Sequence, residues 1–213
     1  MSIIMDISEF VEKIKQGLKV GLPGEKKHRI MLPNQRSLQP TINENIKESA
    51  VLILVDFNNH DPNLTFIERA KYDGVHSGQI AFPGGKFEQS KDKTLIDTAI
   101  RETFEEIGYK TKESQVVCEL SKLFISVSNT VIYPFVAIAP QLPVLKPNSI
   151  EVEDVFSIPL KKFTSENIET GLFNGYNYVV EAPYWNVKGK RIWGATAMII
   201  AELTGLLYED DQM

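Results

Sequence analysis

Ala50 to Phe57 reads AVLILVDF, an unbroken apolar run of strand length. A run this rich in aliphatic side chains reads as a buried strand. Asn58 through Asn63 follows as a turn, and Leu64 to Ala70 returns as a second strand, which predicts a hairpin. Gln79 to Phe82 reads as a short strand ending at Pro83-Gly84-Gly85. From about Asp92 the apolar period becomes helical, through Leu95, Ile96, Ala99, Ile100, Phe104 and Ile107, and Gly108 ends it. Residues 115–125 and 131–139 read as further strands, as do Val152 to Ile158, closed by Pro159, and Tyr176 to Tyr184. Trp193 to Leu206 reads as a final helix. Upstream, Ile7, Phe10, Val11, Ile14 and Leu18 predict an amphipathic helix stopped at Gly21. Residues 21–49, punctuated by Gly24, Pro33 and Pro40, read as a long connection. Strands outnumber helices and the helices fall between them. The expected class is α/β (α+β), a mixed sheet with helices on its faces.

At 213 residues, 43% hydrophobic and 24% charged, the chain carries enough for one core of ordinary size. Its formal net charge of -5 argues against general nucleic-acid binding, which draws on Lys and Arg against phosphate. A bound cation can still supply positive charge locally for an anionic substrate. Cys118 is the one cysteine, so no disulfide forms within the chain. In the run Val116-Val117-Cys118 it reads as a small buried hydrophobe, and a reducing, cytoplasmic compartment is expected. No basic-then-apolar leader and no apolar run of membrane-spanning length are seen, so no membrane partner is expected.

The chemistry concentrates in Arg101-Glu102-Thr103-Phe104-Glu105-Glu106-Ile107-Gly108. Glu102, Glu105 and Glu106 have i, i+3, i+4 spacing, which places their Cβ atoms about 5–6 Å apart on one helical face. Like charges this close repel unless a cation compensates, and Mg²⁺ or Mn²⁺ prefers such oxygen ligands. Arg101, four residues before Glu105, is spaced to pair with that carboxylate and fix its direction. Phe104 and Ile107 are expected to anchor the helix to the core. Gly84-Gly85 lies where a loop can fold back over the helix, and glycine lets a backbone group reach a metal or phosphate closely.

Gly85 through Tyr109 resembles the Nudix box, G-x5-E-x7-R-E-U-x-E-E-x-G-U with U aliphatic. Arg101, Glu102, Glu105, Glu106 and Gly108 match it. The first half departs. Lys91 and Lys93 stand where counting from either end places the first glutamate, and Asp92 is the acid available in a loop two residues longer. A longer box with an Asp near this point is similar to that of the coenzyme A pyrophosphatase branch. The branch's upstream segment also finds matches at Arg69, Ala70, Gly78 and Phe82 to Lys86, whereas Gly74 replaces its second arginine. The segments Pro147 to Phe156 and Ile192 to Ala197 resemble the branch's later parts.

The resemblance implies a Nudix-type α-β-α sandwich with a mixed central sheet over residues 46–207, preceded by a helical extension and connecting loop at 1–45 and followed by an acidic tail at 208–213. It implies hydrolysis, with Mg²⁺ or Mn²⁺, of a nucleoside diphosphate-linked small molecule such as coenzyme A. Glu102 and Glu106 would be the principal metal ligands, with Gly85 beside them. Glu105 would be a further ligand or the base that deprotonates water, Arg101 would assist, and Glu151 is the distal carboxylate candidate. Arg69, Gly84, Gly85 and Lys86 would meet the substrate, with Lys71 the stand-in for the missing arginine. ADP-ribose or another nucleotide as substrate, a non-catalytic sensor, and a homodimer stay open. His76 is read as a turn cap or a phosphate contact. Trp193, Trp185 and Tyr184 are read as core or dimer contacts or as an adenine platform.

Overall fold

A computed structural model describes residues 5–39, 46–57, 61–74, 76–174 and 179–208. The apolar run at 50–57 forms most of β1, Lys47–Asp56. Its side chains alternate between two cores: Ile53 and Val55 face one, while Ala50, Leu52 and Leu54 face the other. β2 (Asn63–Arg69) meets β1 antiparallel at Val55↔Leu64 and Asp56↔Asn63, the expected hairpin, whose tip at 58–60 lies outside the described residues. The long partner of β1 is β7, Thr130–Ala139, running parallel from Lys47↔Thr130 to Asp56↔Ala139. β3 (Ile80–Ala81) pairs with β2. β4 (Gly84–Lys86) pairs with β1 at Ser49, Ala50 and Val51. β1 thus has β2 on its last residues and β4 on its earlier ones, and a cleft opens where the two part.

Helix α3, Leu95–Ile107, packs on the face carrying Leu52, Leu54, Phe135 and Ala137. The other face is covered by α1 (Ile7–Val20), by a short helix α2 (Gly24–His28) and by the C-terminal α4, Gly194–Leu207. This is an α+β sandwich around a mixed sheet. Phe66 stacks on Phe82 at 4.9 Å between centroids, tying β2 to the strand-end before the glycines. Among the described residues no helix is long and apolar enough to cross a membrane.

Several expectations are corrected. The stretch 21–49 contains α2, a 3-10 turn at Arg29–Met31 and the start of β1. Residues 115–125 are two strands, β5 (Val116–Glu119) and β6 (Leu123–Ile125), both antiparallel to β7. The ladder breaks because Ser121 N–H donates to the buried Glu202 carboxylate instead of to a strand. β8, Val152–Pro159, appears as read and pairs with β2. A second sheet of β9 (Ile168–Asn174), β10 (Val179–Val187) and β11 (Lys190–Trp193) holds the predicted strand at 176–184, shifted toward Val187, with 175–178 outside the described residues. β9 and β11 escape a sequence reading: β9 is mostly solvent-facing, and β11 is four residues long. Phe104 is 53% exposed, not anchored, because Thr103, Glu106 and Ile107 take the buried positions of α3.

Candidate functional site

Two carboxylate devices set the start of α3. Thr94 and Asp97 form a capping box, satisfying backbone N–H groups that the first helical turn leaves free. Just before them, Asp92 is buried and accepts from Arg101 Nε at 2.7 Å and Nη2 at 2.9 Å, from Thr98 Oγ1 at 2.8 Å and from Glu88 N–H at 3.0 Å. The Arg101 bonds hold the Asp92 carboxyl well below the usual range, and Asp92 in turn raises Arg101. The displaced acid of the sequence is therefore the clamp on Arg101. Arg101 Nη1 then donates to Glu102 at 2.8 Å and Glu105 at 3.2 Å, and Nη2 to the Lys86 carbonyl at 3.2 Å.

The three glutamates separate by burial. Glu106 is 2% exposed, and its Oε2 accepts the Gly84 N–H at 2.8 Å. Burial pushes its carboxyl up to about 7, with the Gly84 hydrogen bond and Arg69 opposing and Glu102 and Glu151 adding. Glu102 is raised as well, by burial first, against the pull of Arg101. Glu105 is about half exposed, held by Arg101, and outside the cleft lining. Gly84 has φ 151°, and a Cβ there would sit 2.6 Å from Val51 Cα. A Cβ on Gly85 would sit 2.5 Å from Glu102 Oε2, so glycine lets this backbone lie against the carboxylate as it is placed.

The cleft is about 700 Å³. Glu102, Glu106, Gly84, Gly85 and Glu151 line it, together with Arg69, whose Nη1 stands 3.8 Å from Glu106 Oε1, and Lys86. Glu151 starts the run into β8, its carbonyl accepting from Ala70 N–H. Lys71 is exposed and not part of the lining; Tyr72 and His76 from the same loop are. His76 has a left-handed backbone (φ 69°) and shares a 2.9 Å hydrogen bond between Nδ1 and Gln79 Oε1, with burial lowering its pKa. Trp193 lines the cleft and stacks on Phe173, while Trp185 is core. The sequence reading missed Leu32, Pro33, Arg36, Ser37 and Lys47, which also line the cleft. No local pattern marks them, since what brings them there is packing. Among the described residues no three His, Cys, Asp or Glu side chains form a ready-made metal cluster.

A buried, backbone-tied glutamate beside a second one, under a Gly-Gly strand at the mouth of a split sheet, defines a Nudix-type site. The chain belongs to the NUDIX domain family, which matches residues 47–174. It is 32% identical over 136 residues to the mitochondrial coenzyme A diphosphatase NUDT8 of Homo sapiens, covering 62% of this chain and 57% of that protein. It is 31% identical over 171 residues to the uncharacterized Nudix hydrolase NudL of Photorhabdus laumondii, covering 76% of this chain and 86% of that protein. The NUDT8 of Mus musculus, 31% identical over 160 residues with 75% of that protein covered, places the chain in the coenzyme A pyrophosphatase branch of the family, and the protein is an enzyme of the Nudix hydrolase class. A crystal structure of a MutT/nudix family protein from Enterococcus faecalis shares the fold, with TM-score 0.52 at 15% identity over 84% of this chain and 71% of that one.

Proposed function

We propose that this enzyme hydrolyses the diphosphate bond of coenzyme A, or of an acyl derivative, to adenosine 3′,5′-bisphosphate and 4′-phosphopantetheine, with Mg²⁺ or Mn²⁺ as cofactor. The observation that carries the reading is the Gly84-Gly85 backbone pressed onto Glu102 and Glu106 inside a cleft that continues well beyond them. The name of the human relative supports the substrate.

The donor set fits such a cation. Mg²⁺ is held by one or two carboxylates plus substrate phosphates, and Glu102, Glu106 and the Gly85 carbonyl supply hard oxygens. Burial raises the Glu106 carboxyl, so a cation at this oxygen would favour its charged form. The cation, when bound, neutralises the diphosphate oxygens and acidifies the attacking water. Glu105, at the rim, serves as a further ligand or as the base. Glu151 lines the same cleft, raises both of these carboxyls by its charge and is the second candidate for the base. Arg101 orients Glu102 and Glu105. Arg69, Lys86 and the Gly84-Gly85 backbone meet the phosphates, and Lys71, exposed and outside the cleft lining, does not. The thiol of Cys118, half-buried and pushed up to about 12 by burial, is unreactive, and a chain with this one free cysteine suits a reducing compartment such as the cytoplasm.

Product analysis by mass on coenzyme A, ADP-ribose and a dinucleoside polyphosphate, each with both metals, tests the reading. Coenzyme A is expected to be consumed and Glu106→Gln to abolish turnover, with Mn²⁺ binding weakened tenfold or more in a direct titration. Intact coenzyme A beside cleaved ADP-ribose would make this a nucleotide-sugar pyrophosphatase, the alternative that Gly74 keeps open.

A further inference from the structure

Part of the cleft wall comes from outside the family-matched region: Leu32, Pro33, Arg36 and Ser37 precede residue 47. This segment is bolted down. His28 Nε2 lies 2.8 Å from Glu202 Oε2 on α4, both side chains buried. Lys27 packs its stem against Gly205, where a Cβ would sit 2.8 Å from Lys27 Cγ. Asn34 donates its N–H to the Glu181 carbonyl at 2.9 Å and its Nδ2 to the Glu181 carboxylate at 2.7 Å. Arg36 is therefore delivered to the cleft by a fixed support on each side of the Leu32-Pro33 wall.

Lys47, Ser49 and Val51 alternate along β1 and all line the cleft. Val51 pairs with Gly84, next to the glutamates. Lys47 lies four residues away, about 13 Å along an extended strand, which is longer than one diphosphate. Gly74 offers the cleft no side chain, and a Cβ there would sit 2.8 Å from the Tyr72 ring.

We propose that Arg36, with Lys47, binds a second phosphate on the substrate, the 3′-phosphate ester on the ribose, and so brings two cations from outside the glycine-and-glutamate centre to the far part of the cleft. The inference rests on the coenzyme A reading for its substrate. The guanidinium fork matches phosphate oxygens in pairs, and the Lys47 ammonium adds a point charge. A ligand lacking the 3′-phosphate leaves both cations without that partner.

The test compares kcat/KM for coenzyme A and dephospho-coenzyme A in the full chain, its Arg36→Ala and Arg36→Lys variants, and Arg36→Ala/Lys47→Ala. The preference for coenzyme A should fall tenfold or more in Arg36→Ala, fall further in the double variant, and partly return in Arg36→Lys. An unchanged ratio overturns the proposal while leaving coenzyme A hydrolysis standing. Calorimetric binding of adenosine 3′,5′-bisphosphate against AMP separates the two claims. A protein that spares coenzyme A yet binds the bisphosphate tighter, in an Arg36-dependent way, supports the phosphate site and sinks the substrate reading. Equal binding of the two nucleotides overturns the site.

Discussion

Glu106 takes a core-facing slot on α3, and the neighbouring Phe104 turns outward. A carboxylate there loses water, and the one backbone N–H it gains offsets only part of that cost, which is why its folded-state pKa of about 7 lies above the ordinary value of 4.5. The linkage sign follows. A group that holds its proton more tightly when folded gives full stability below the unfolded pKa and loses it as pH rises through the folded one. Metal-free protein should therefore lose roughly 3 kcal/mol between pH 4.5 and above 7 from this residue. Urea unfolding in chelator across that range is expected to show the loss in the wild type and not in Glu106→Gln, whose amide oxygen can still accept from Gly84. Parallel pH curves for the two proteins would refute the burial argument. The spacing of Glu102, Glu105 and Glu106 is legible in the sequence because it is local helix geometry. Which of them goes inside is not, because Gly84 and the face of β1 decide it.

At the scale of the element, α3 carries Arg101 in a fixed pose because Asp92, outside the helix, reaches nine residues forward to it. Asp92→Asn keeps the shape and removes the charge, and is expected to cost about 2–3 kcal/mol near neutral pH. Asp92 has a depressed pKa, so its contribution is present above the unfolded value and lost as pH falls through the carboxylate range. The gap between wild type and variant in denaturant melts should accordingly narrow toward pH 3; a gap independent of pH would refute the charge clamp. The helix, its Gly108 stop and the displaced Asp92 were all readable, since capping and period are local signals. β9 and β11 were not: their exposed or short segments bury too little apolar surface to leave a pattern. Their sheet is joined to the main one by Lys190, which donates to Glu68 at 2.5 Å and Asp154 at 2.9 Å, carboxylates opposite each other on β2 and β8.

For the whole molecule, the N-terminal helices belong to the same core as the sheet. Phe10, Ile14 and Met31 are 0–1% exposed and cluster with Leu64, Phe66 and the α4 side chains. Losing one such large side chain costs about 2–5 kcal/mol, comparable with the stability of a whole domain. A protein starting at residue 32 is expected to show no cooperative thermal transition by circular dichroism. A melt within a few degrees of the full chain would show that the extension is separable after all. By itself the sequence determined what nearest neighbours control: the apolar period of each main element, the caps and stops, the glycine turn, and the box of charges on one helix. Only the tertiary structure decided that β1 runs parallel to β7, that Glu106 is the buried acid, and that residues 32–37 form cleft wall. Those outcomes depend on contacts between residues far apart in the chain. Many pairings satisfy the same local periodicity, and the one adopted is that which closes both cores at once.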